Sequence, residues 1–338
     1  MQSSINSLRS LEQEALQDQQ GRKFPYLRLS VTDLCNFSCN YCLPDGCLDH
    51  HHSEALTIDE IHRLVEAFTY LGVEKIRLTG GEPTLRHDFA DIVRTIRQVP
   101  GIKKLAMTTN GYKMDQRVTG WLDAGIDAIN VSVDSLDPRA FELITGHNRL
   151  REILTGIQKA FDHGLPSIKV NAVAMKGIND DELDVFLEWI RDYPVSIRFI
   201  ELMQTGNNQE FFQKHHFPGE KIQERLLERG WIRKVRSADA GPALEYCHSD
   251  YEGSVGLIMP YSKDFCNDCN RLRVTSLGQL QLCLFAESGI DLRDLLQRDD
   301  QQEALVARIR ESLKLKEDRH FLDQGWTGGT QSLSQMGG

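Results

Sequence analysis

The sequence predicts an α/β protein: a partial, six-unit parallel β/α barrel followed by a C-terminal cap. Apolar, β-branched runs alternate with amphipathic stretches six times through the first 200 residues, which is typical of parallel strands joined by helices. Six units are fewer than the eight of a closed barrel. The alternation stops after about residue 205, so we expect the barrel over residues 1–205 and the cap over 206–338.

Each predicted strand is a short apolar run, and each predicted helix repeats its apolar residues at helical spacing. The stretch "IDEIHRLVEAFTYLG" shows that spacing between the first two strands. In the cap we expect a loop at 205–217, a helix at 219–230 and a hairpin that turns at Leu277–Gly278. The six strands are predicted at 26–31, 75–80, 104–109, 128–133, 168–175 and 196–202.

The composition argues against several classes of protein. The 338 residues carry a net charge of −10 and no basic tail, so we do not expect a nucleic-acid-binding surface. No apolar run approaches the ~18 residues of a membrane span, and the polar N-terminus has no apolar signal core. We therefore expect a cytoplasmic protein whose eight cysteines stay reduced and serve metal binding or catalysis rather than disulfides.

Three cysteines stand close together in "TDLCNFSCNYCLPDG", namely Cys35, Cys39 and Cys42. A structural zinc site almost always takes four protein ligands. A four-iron cluster held by three thiolates instead leaves one iron without a protein ligand, open to a small molecule. The spacing favours such a cluster, although zinc stays an alternative because thiolates bind both metals.

The other predicted strands also end in polar or small residues. "TGGEP" follows the second strand, "TTNG" ends the third and "SVDS" the fourth, while the sixth leads to Glu201 and Met203. Because ligands bind at the carboxyl ends of parallel strands, we expect these segments to form one site with the cysteines. The two glycines of "TGGEP" allow a backbone to approach a ligand closely. Alternatively they serve a simple turn into a helix that starts at Glu82 and Pro83.

A second set of three cysteines lies in "KDFCNDCNRLRVTSLGQLQLCLF", namely Cys266, Cys269 and Cys283. Again no fourth cysteine is near in the sequence. The alternative to a second cluster is a zinc ribbon that borrows Cys247, since pairs of cysteines two residues apart are common zinc ligands. Cys47 and Cys247 belong to no motif and are interpreted as incidental thiols.

Cations occupy predicted strand positions that would be apolar in an ordinary parallel sheet. Arg271 and Arg273 lie two residues apart and so point to one face of a strand, and Lys75 and Arg77 repeat that spacing. Because a buried cation needs a partner, the set predicts a bound polyanion, with phosphate suited to the guanidinium fork. For any single member, a salt bridge at the barrel rim stays the alternative. The set comprises Arg28, Lys75, Arg77, Lys169, Arg198, Arg271 and Arg273.

The first cysteine motif, with Tyr41 before its last cysteine and "GGEP" after it, resembles the radical S-adenosylmethionine (SAM) enzymes. With "CNRLRVTS", "CLF" and the terminal "QMGG", nearly the whole chain resembles the GTP-cyclising branch of that family, which acts in molybdenum cofactor biosynthesis. The resemblance implies a partial barrel of the radical SAM type and a cap that bears a second iron–sulfur cluster. It implies two [4Fe–4S] clusters and SAM as cofactors, and GTP as substrate.

The resemblance also implies roles for individual residues. The ligands of the SAM-binding cluster would be Cys35, Cys39 and Cys42. The ligands of the second cluster, whose open iron meets guanine, would be Cys266, Cys269 and Cys283. The SAM contacts would be Tyr41, Gly81, Thr108, Ser132 and Met203. The GTP contacts would be Arg28, Arg77, Lys169, Arg271 and Arg273, helped by Lys75 and Arg198.

The implied reaction is a radical cyclisation. A 5′-deoxyadenosyl radical made from SAM takes the hydrogen from C3′ of the ribose, and C3′ then joins C8 of guanine. The product is (8S)-3′,8-cyclo-7,8-dihydroguanosine 5′-triphosphate. An electron donor and a downstream cyclic pyranopterin monophosphate synthase are implied partners, and a homodimer stays open. The alternatives are a peptide-modifying radical SAM enzyme and a non-enzymatic iron–sulfur or zinc redox sensor.

Two weaker motifs lie outside the predicted strands and helices. The histidines at 50–52 are a candidate metal site but are interpreted as a solvated loop. Gly337 and Gly338 are interpreted either as a frayed end or, by resemblance, as a tail that enters the active site.

Overall fold

A computed structural model of the chain describes residues 15–43, 46, 55–235 and 241–333. Three features of the sequence lie outside the described residues, namely Cys47, the histidines at 50–52 and Gly337–Gly338. None of the helices within the described ranges is long and apolar enough to cross a membrane.

Six parallel strands form the centre of the sheet, and each pairs with the next one along the chain. This order is expected when every crossover turns in the same direction. The strands lie where the sequence predicted them, so the six-unit parallel β/α architecture is confirmed. They are β1 (Tyr26–Ser30), β2 (Lys75–Thr79), β3 (Lys104–Thr109), β4 (Ala128–Ser132), β5 (Ile168–Ala174) and β6 (Val195–Glu201).

The strands of the C-terminal part extend this sheet at both edges. They are β7 (Ile232–Arg233), β8 (Leu244–Cys247), β9 (Ser254–Ile258), β10 (Arg271–Val274), β11 (Gln279–Gln281) and β12 (Ile290–Asp291). β9 pairs in parallel with β6, and β10 pairs in parallel with β1. β10 and β11 form the hairpin predicted at Leu277–Gly278. The predicted domain boundary at residue 205 stays a prediction.

Helices connect the strands of the barrel and follow its last strand. They are α1 (Ile58–Tyr70), α2 (Phe89–Gln98), α3 (Met114–Ala124), α4 (Pro138–Thr145), α5 (Leu150–Asp162), α6 (Leu183–Trp189), α7 (Gln209–His215), α8 (Gly219–Glu228) and α9 (Gln302–Leu313). Short 3₁₀ turns occur at Pro83–Leu85, Arg293–Leu295, Asp299–Gln301 and Leu322–Gln324.

The expectation of a loop over 205–217 is wrong, because α7 lies within it. None of the residues of this helix is fully buried, so it lacks the apolar stripe by which helices are read from sequence. Ring contacts one turn apart support it instead: Phe211 lies 4.5 Å from His215, and Phe212 lies 4.7 Å from His216, between ring centroids.

The central strands alternate between an apolar outer face and a polar inner face. Leu27 and Leu29 of β1 are fully buried in the same apolar core as Leu64 and Phe68 of α1. Arg28, between them, points to the opposite face, because successive side chains in a strand alternate. The neighbouring strands repeat this alternation, so the polar side chains of all six strands collect inside the barrel.

Glu60 ties α1 to the C-terminal part of the chain. α1 begins with a capping box in which Thr57 caps the helix and the Glu60 carboxylate accepts from the Thr57 backbone N–H at 2.8 Å. The same carboxylate accepts from Arg293 Nε at 3.0 Å and from Gln297 Nε2 at 2.8 Å. Burial alone would raise the pKa of Glu60, but the hydrogen bonds from Arg293 and Thr57 lower it below its ordinary value of 4.5.

We predict that Glu60→Gln will lower the free energy of unfolding by about 1–2 kcal/mol near neutral pH. Glutamine keeps the capping box but loses the charge that pairs with Arg293. Because the carboxyl pKa is lower in the folded state, its stabilisation is present above pH 4.5 and is lost as the pH falls through the folded pKa. Thermal melts from neutral to acidic pH should therefore converge for the two proteins. A difference that persists in acid would contradict the ionic contribution.

Candidate functional site

The inner face of the sheet lines a cavity that both cysteine sets border. Side chains from all six central strands and from β10 reach it. Two of the predicted site residues, Lys75 and Lys169, do not line this cavity. The predicted residues that line it are Arg28, Cys35, Cys39, Tyr41, Cys42, Arg77, Gly81, Thr108, Ser132, Arg198, Met203, Cys266, Cys269, Arg271, Arg273 and Cys283.

The first cysteine set lies on the loop that follows β1. The loop is anchored on the C-terminal end of α4, where the backbone N–H of Ser38 donates to the Thr145 carbonyl at 3.1 Å. Phe37 stacks on His147, with ring centroids 4.7 Å apart. Burial raises the pKa of the Cys39 thiol, and the nearby Asp134 and the other two cysteines add to the increase. All three cysteines of this set border the cavity.

The "GGEP" segment packs directly against this cysteine loop. The backbone N–H of Glu82 donates to the Leu34 carbonyl at 2.6 Å, and that of Gly81 donates to the Thr32 carbonyl at 2.9 Å. A Cβ atom on Gly81 would lie 2.1 Å from the Leu34 oxygen. The close approach that Gly81 permits is therefore to the loop that carries the cysteines, one residue before Cys35, while Gly81 itself also borders the cavity.

Glu82 is a site residue that the sequence analysis treated only as a helix start. It is completely buried. Its carboxylate accepts from the backbone N–H and hydroxyl of Thr84, from the Thr109 hydroxyl at 2.9 Å and from the Asn110 N–H at 2.6 Å. Burial raises its pKa against the effect of these donors. Glu82 therefore joins the ends of β2 and β3, and Asn110 in turn reaches Cys35, with Nδ2 3.9 Å from Sγ.

Tyr41 and Met203 are held on the other side of the first cysteine set. The Tyr41 hydroxyl donates to Asp134 Oδ2 at 3.0 Å, and Asp134 Oδ1 accepts from the Val173 N–H at 2.8 Å. Burial raises the pKa of Asp134 to about 6. The Asn208 side chain donates to the carbonyls of both Tyr41 and Met203. Sequence reasoning missed Asp134 and Asn208, although Asp134 lies within the "SVDS" strand end.

The second cysteine set lies before β10 and after β11, at the opposite end of the cavity. Its anchor is Arg22, which precedes the first strand: Arg22 donates to the Cys266 carbonyl at 3.1 Å and to the Glu317 carbonyl at 2.7 Å, and pairs with the buried Asp18 at 2.6 Å. Burial alone would raise the pKa of Cys269, but Arg271 and Lys316 lower it to about 7. The thiolate form, which binds iron, is thereby favoured.

Cys247 does not join the second set. It ends β8, far from β10 and β11 in the order of the sheet, and it does not line the cavity. Within the part of the chain that the structure describes, no three Cys, His, Asp or Glu side chains are grouped as ligands of a single metal ion. A four-iron cluster has a different requirement, because each thiolate binds a separate iron around a shared space.

Strand pairing arranges the cations in two rows across β2, β1 and β10. The first row is Lys75, Tyr26 and Arg271, and the second row is Arg77, Arg28 and Arg273. We call these six positions the cation rows. The first cysteine set follows β1, whereas Cys266 and Cys269 precede β10, which runs parallel to β1. Cys283 follows β11, which is antiparallel to β10 and so ends on the same side as Cys269. The rows therefore lie between the two sets.

Three arginines at the cavity each keep a buried donor that no described residue satisfies. These donors are the Nε atoms of Arg271, Arg273 and Arg198, which have no hydrogen-bond partner within the described part of the chain. Burial lowers the pKa of Lys169 to about 7, and the charges of Arg198 and Arg77 add to the decrease. Unsatisfied guanidinium groups in a cavity fit a ligand with several anionic oxygens.

The chain is similar to known proteins over most of its length. Residues 29–190 match the Radical SAM superfamily, and residues 195–322 match Molybdenum Cofactor Synthesis C. A GTP 3′,8-cyclase from Yersinia pestis is 56% identical over 323 residues, which cover 96% of this chain and 99% of the relative. The GTP 3′,8-cyclase of Vibrio parahaemolyticus is 54% identical over 327 residues, 96% of this chain and 98% of the relative.

Solved structures show the same fold at low identity. Streptococcus suis SuiB bound to precursor peptide SuiA has a TM-score of 0.60 at 12% identity, covering 99% of this chain and 80% of that chain. The structure of anSMEcpe with bound AdoMet has a TM-score of 0.55 at 12% identity, covering 83% of this chain and 82% of that chain. At such identity the likeness concerns the fold alone.

We predict that Gly81→Ala will destabilise the fold by more than about 2 kcal/mol and reduce the iron bound by the first cysteine set, because the new Cβ must displace the Leu34 backbone. The matched control is Gly120→Ala in α3, where a Cβ meets nothing within 4 Å and alanine favours the helix. Thermal melts and iron analysis of anaerobically purified proteins provide the measurement. Normal iron content and stability in Gly81→Ala would contradict the close packing of the two segments.

Proposed function

Because the chain belongs to the radical SAM superfamily and to the GTP 3′,8-cyclase family, we propose that it converts GTP to (8S)-3′,8-cyclo-7,8-dihydroguanosine 5′-triphosphate in the first step of molybdenum cofactor biosynthesis. One observation carries the proposal: the cation rows lie between two sets of three cysteines that border the same cavity. A triphosphate matches the rows in charge, and its nucleoside then lies between the two sets.

Membership of the radical SAM superfamily implies a [4Fe–4S] cluster and SAM. The neighbouring thiols of Cys35, Cys39 and Cys42 fit such a cluster. When bound, the cluster and SAM supply the 5′-deoxyadenosyl radical that takes the C3′ hydrogen of the ribose. For SAM itself we propose contacts with five cavity residues, namely Tyr41, Gly81, Thr108, Ser132 and Met203.

The second cysteine set is proposed to hold a second [4Fe–4S] cluster that binds the guanine base. All three of its cysteines border the cavity. Burial raises the pKa of Cys266, and the charges of Cys283 and Cys269 add to the increase. Lys316 and Arg271 favour the Cys269 thiolate. A guanine held at this end of the cavity turns its ribose toward the first cysteine set, which is the geometry that hydrogen abstraction at C3′ requires.

The triphosphate is proposed to bind the guanidinium groups of Arg28, Arg77, Arg271 and Arg273, with Arg198 beside them. Lys75 and Lys169 lie next to this set without lining the cavity, so their proposed contribution is mainly through charge. Phe265 and Phe285 line the cavity near the second cysteine set. These apolar rings help to exclude water, which would otherwise quench a radical intermediate.

The peptide-modifying alternative has no comparable support in the site, because a row of buried guanidinium groups is not needed to bind a peptide. The proposed reaction also requires a one-electron donor, and its product requires a cyclic pyranopterin monophosphate synthase downstream. The cytoplasmic location and the homodimer stay predictions, as does a role for Gly337 and Gly338, which lie outside the described residues.

The reaction is tested by isotope transfer. In an anaerobic single turnover with SAM and dithionite, GTP deuterated at C3′ should give deuterated 5′-deoxyadenosine, measured by mass spectrometry. GTP deuterated at C8 serves as the control and should give unlabelled 5′-deoxyadenosine. If deuterium came only from C8, or from neither position, the proposed mechanism would be wrong even with both clusters present.

Substitution of a cysteine in the first set and in the second set should impair different steps of the reaction. We expect Cys35→Ala to abolish SAM cleavage, because the radical cannot form. We expect Cys266→Ala to keep uncoupled SAM cleavage, seen as 5′-deoxyadenosine, but to form no cyclised product. Cys247→Ala is the matched control and should keep full activity, since this thiol lies outside the cavity. Full cyclase activity in Cys266→Ala would remove the case for a second cluster.

Arg271→Ala should weaken GTP binding about ten- to hundredfold while leaving SAM binding unchanged. A charge-assisted hydrogen bond to phosphate contributes about 1.5–3 kcal/mol, which corresponds to that factor. Arg94→Ala, an exposed arginine paired with Asp91, is the control and should bind both ligands normally. Equal losses of GTP and SAM affinity in Arg271→Ala would indicate a folding defect instead of a lost phosphate contact.

A further inference from the structure

Tyr26 is the one position of the cation rows that carries no cation. It lies at the centre of the first row, paired with Lys75 on one side and with Arg271 on the other. Its side chain is buried, at 6% exposure. Its hydroxyl oxygen accepts a hydrogen bond from Arg77 Nε at 2.6 Å, and Lys75 Nζ lies 4.6 Å from the centre of its ring.

Charged groups face this phenol from several strands. Arg28 follows it on β1, Lys75 and Arg77 lie on β2, and Arg271 and Arg273 lie on β10. Arg198 of β6 also acts on its charge, and Arg198 pairs with Glu245 of β8 at 2.9 Å. Lys169 of β5 lies beside Arg198 and Arg77. The phenol is thus surrounded by cations, and the carboxylate of Glu245 is paired with Arg198.

Like charges at this density repel one another strongly in a buried site. A ligand with several negative charges relieves the repulsion when it is bound, and an ionised phenol among the cations relieves part of it in the free protein. Burial alone would raise the pKa of Tyr26, yet the charges of Arg77, Arg28 and Lys75 lower it to about 7. Ionisation of this phenol supplies one negative charge at the centre of the rows.

We propose that Tyr26 is a built-in counter-ion of the cation rows, ionised when the rows hold no phosphate and protonated when a triphosphate binds. The inference rests on the proposed nucleotide site. The proton balance is simple: the phenolate takes one proton from solvent, and no bond of the ligand changes. Phosphate oxygens then replace the phenolate as the partner of the surrounding cations. Two anions therefore do not occupy one buried site.

The counter-ion makes phosphate binding depend on pH. Above a pKa of about 7 the free protein holds a phenolate that must be protonated on binding, and this group alone lowers the affinity about tenfold per pH unit. Lys169, whose pKa is also lowered to about 7, takes up a proton in the same range. An affinity profile alone therefore does not separate the two groups. The near-ultraviolet absorbance of ionised tyrosine reports a phenolate and not a lysine, and its loss in Tyr26→Phe assigns it to Tyr26.

The experiment uses the anaerobic holoenzyme and inorganic tripolyphosphate, which does not absorb in the near ultraviolet. At about pH 8, where a phenol with this pKa is mostly ionised, binding should remove the absorbance of one ionised tyrosine. Tyr26→Phe should bind tripolyphosphate without that change and at least as tightly as wild type. Tyr193→Phe, at an exposed tyrosine, should behave as wild type, and Lys169→Met should keep the absorbance change.

The outcomes separate this inference from the proposed function. If tripolyphosphate binds and competes with GTP but the tyrosine absorbance of wild type does not change, the counter-ion is wrong and the nucleotide site stands. If neither tripolyphosphate nor GTP binds, the nucleotide site is wrong and the inference fails with it. The inference can be overturned even if Tyr26→Phe does not fold, because an unchanged wild-type spectrum on tripolyphosphate binding contradicts it without any variant.

Discussion

The parallel pairing of β10 with β1 is the constraint on which the site depends. It brings Arg273 beside Arg28, which already lies beside Arg77, and it brings Arg271 beside Tyr26. Ser276, just after β10, donates to Asp33 at 2.7 Å, next to the first cysteine loop. One strand pair thus places the cation rows and orients both cysteine sets relative to each other. A shift by one residue would turn Arg271 and Arg273 away from the cavity.

The same pairing creates an electrostatic cost that the fold has to manage. Guanidinium donors without a partner are unfavourable in a buried site. Within the described residues the Nε atoms of Arg271 and Arg273 have no partner, whereas Arg198 pairs with Glu245. The apolar outer face of the strands, with Leu27 and Leu29 fully buried, supplies packing free energy that keeps the cations in place. The site is thereby organised before its anionic ligand arrives, which reduces the reorganisation needed on binding.

Two buried side chains fix the segments that carry the cysteine sets next to the ends of the strands. Glu82 joins the ends of β2 and β3 beside the first set, and Arg22 joins the segment before β1 to the second set. Neither acts on a ligand directly. Both satisfy backbone groups that loops inside a protein would otherwise leave without partners, and this is why long irregular segments can carry the cysteines at defined positions.

The sequence by itself determined the local features: six strands with their intervening helices, the spacing of both cysteine sets, and the cations two residues apart that share a face. These follow from periodicity and from residue chemistry, which need no knowledge of distant contacts. Only the tertiary structure decided which strands lie beside one another. The pairing of β10 with β1 joins residues about 245 positions apart, and no local pattern encodes it. Helix α7 read as a loop because it has no buried apolar stripe. Tyr26 read as an ordinary strand residue, Glu82 as a helix start and Asp134 as a strand-end residue, because what defines each of these three is a neighbour from elsewhere in the chain.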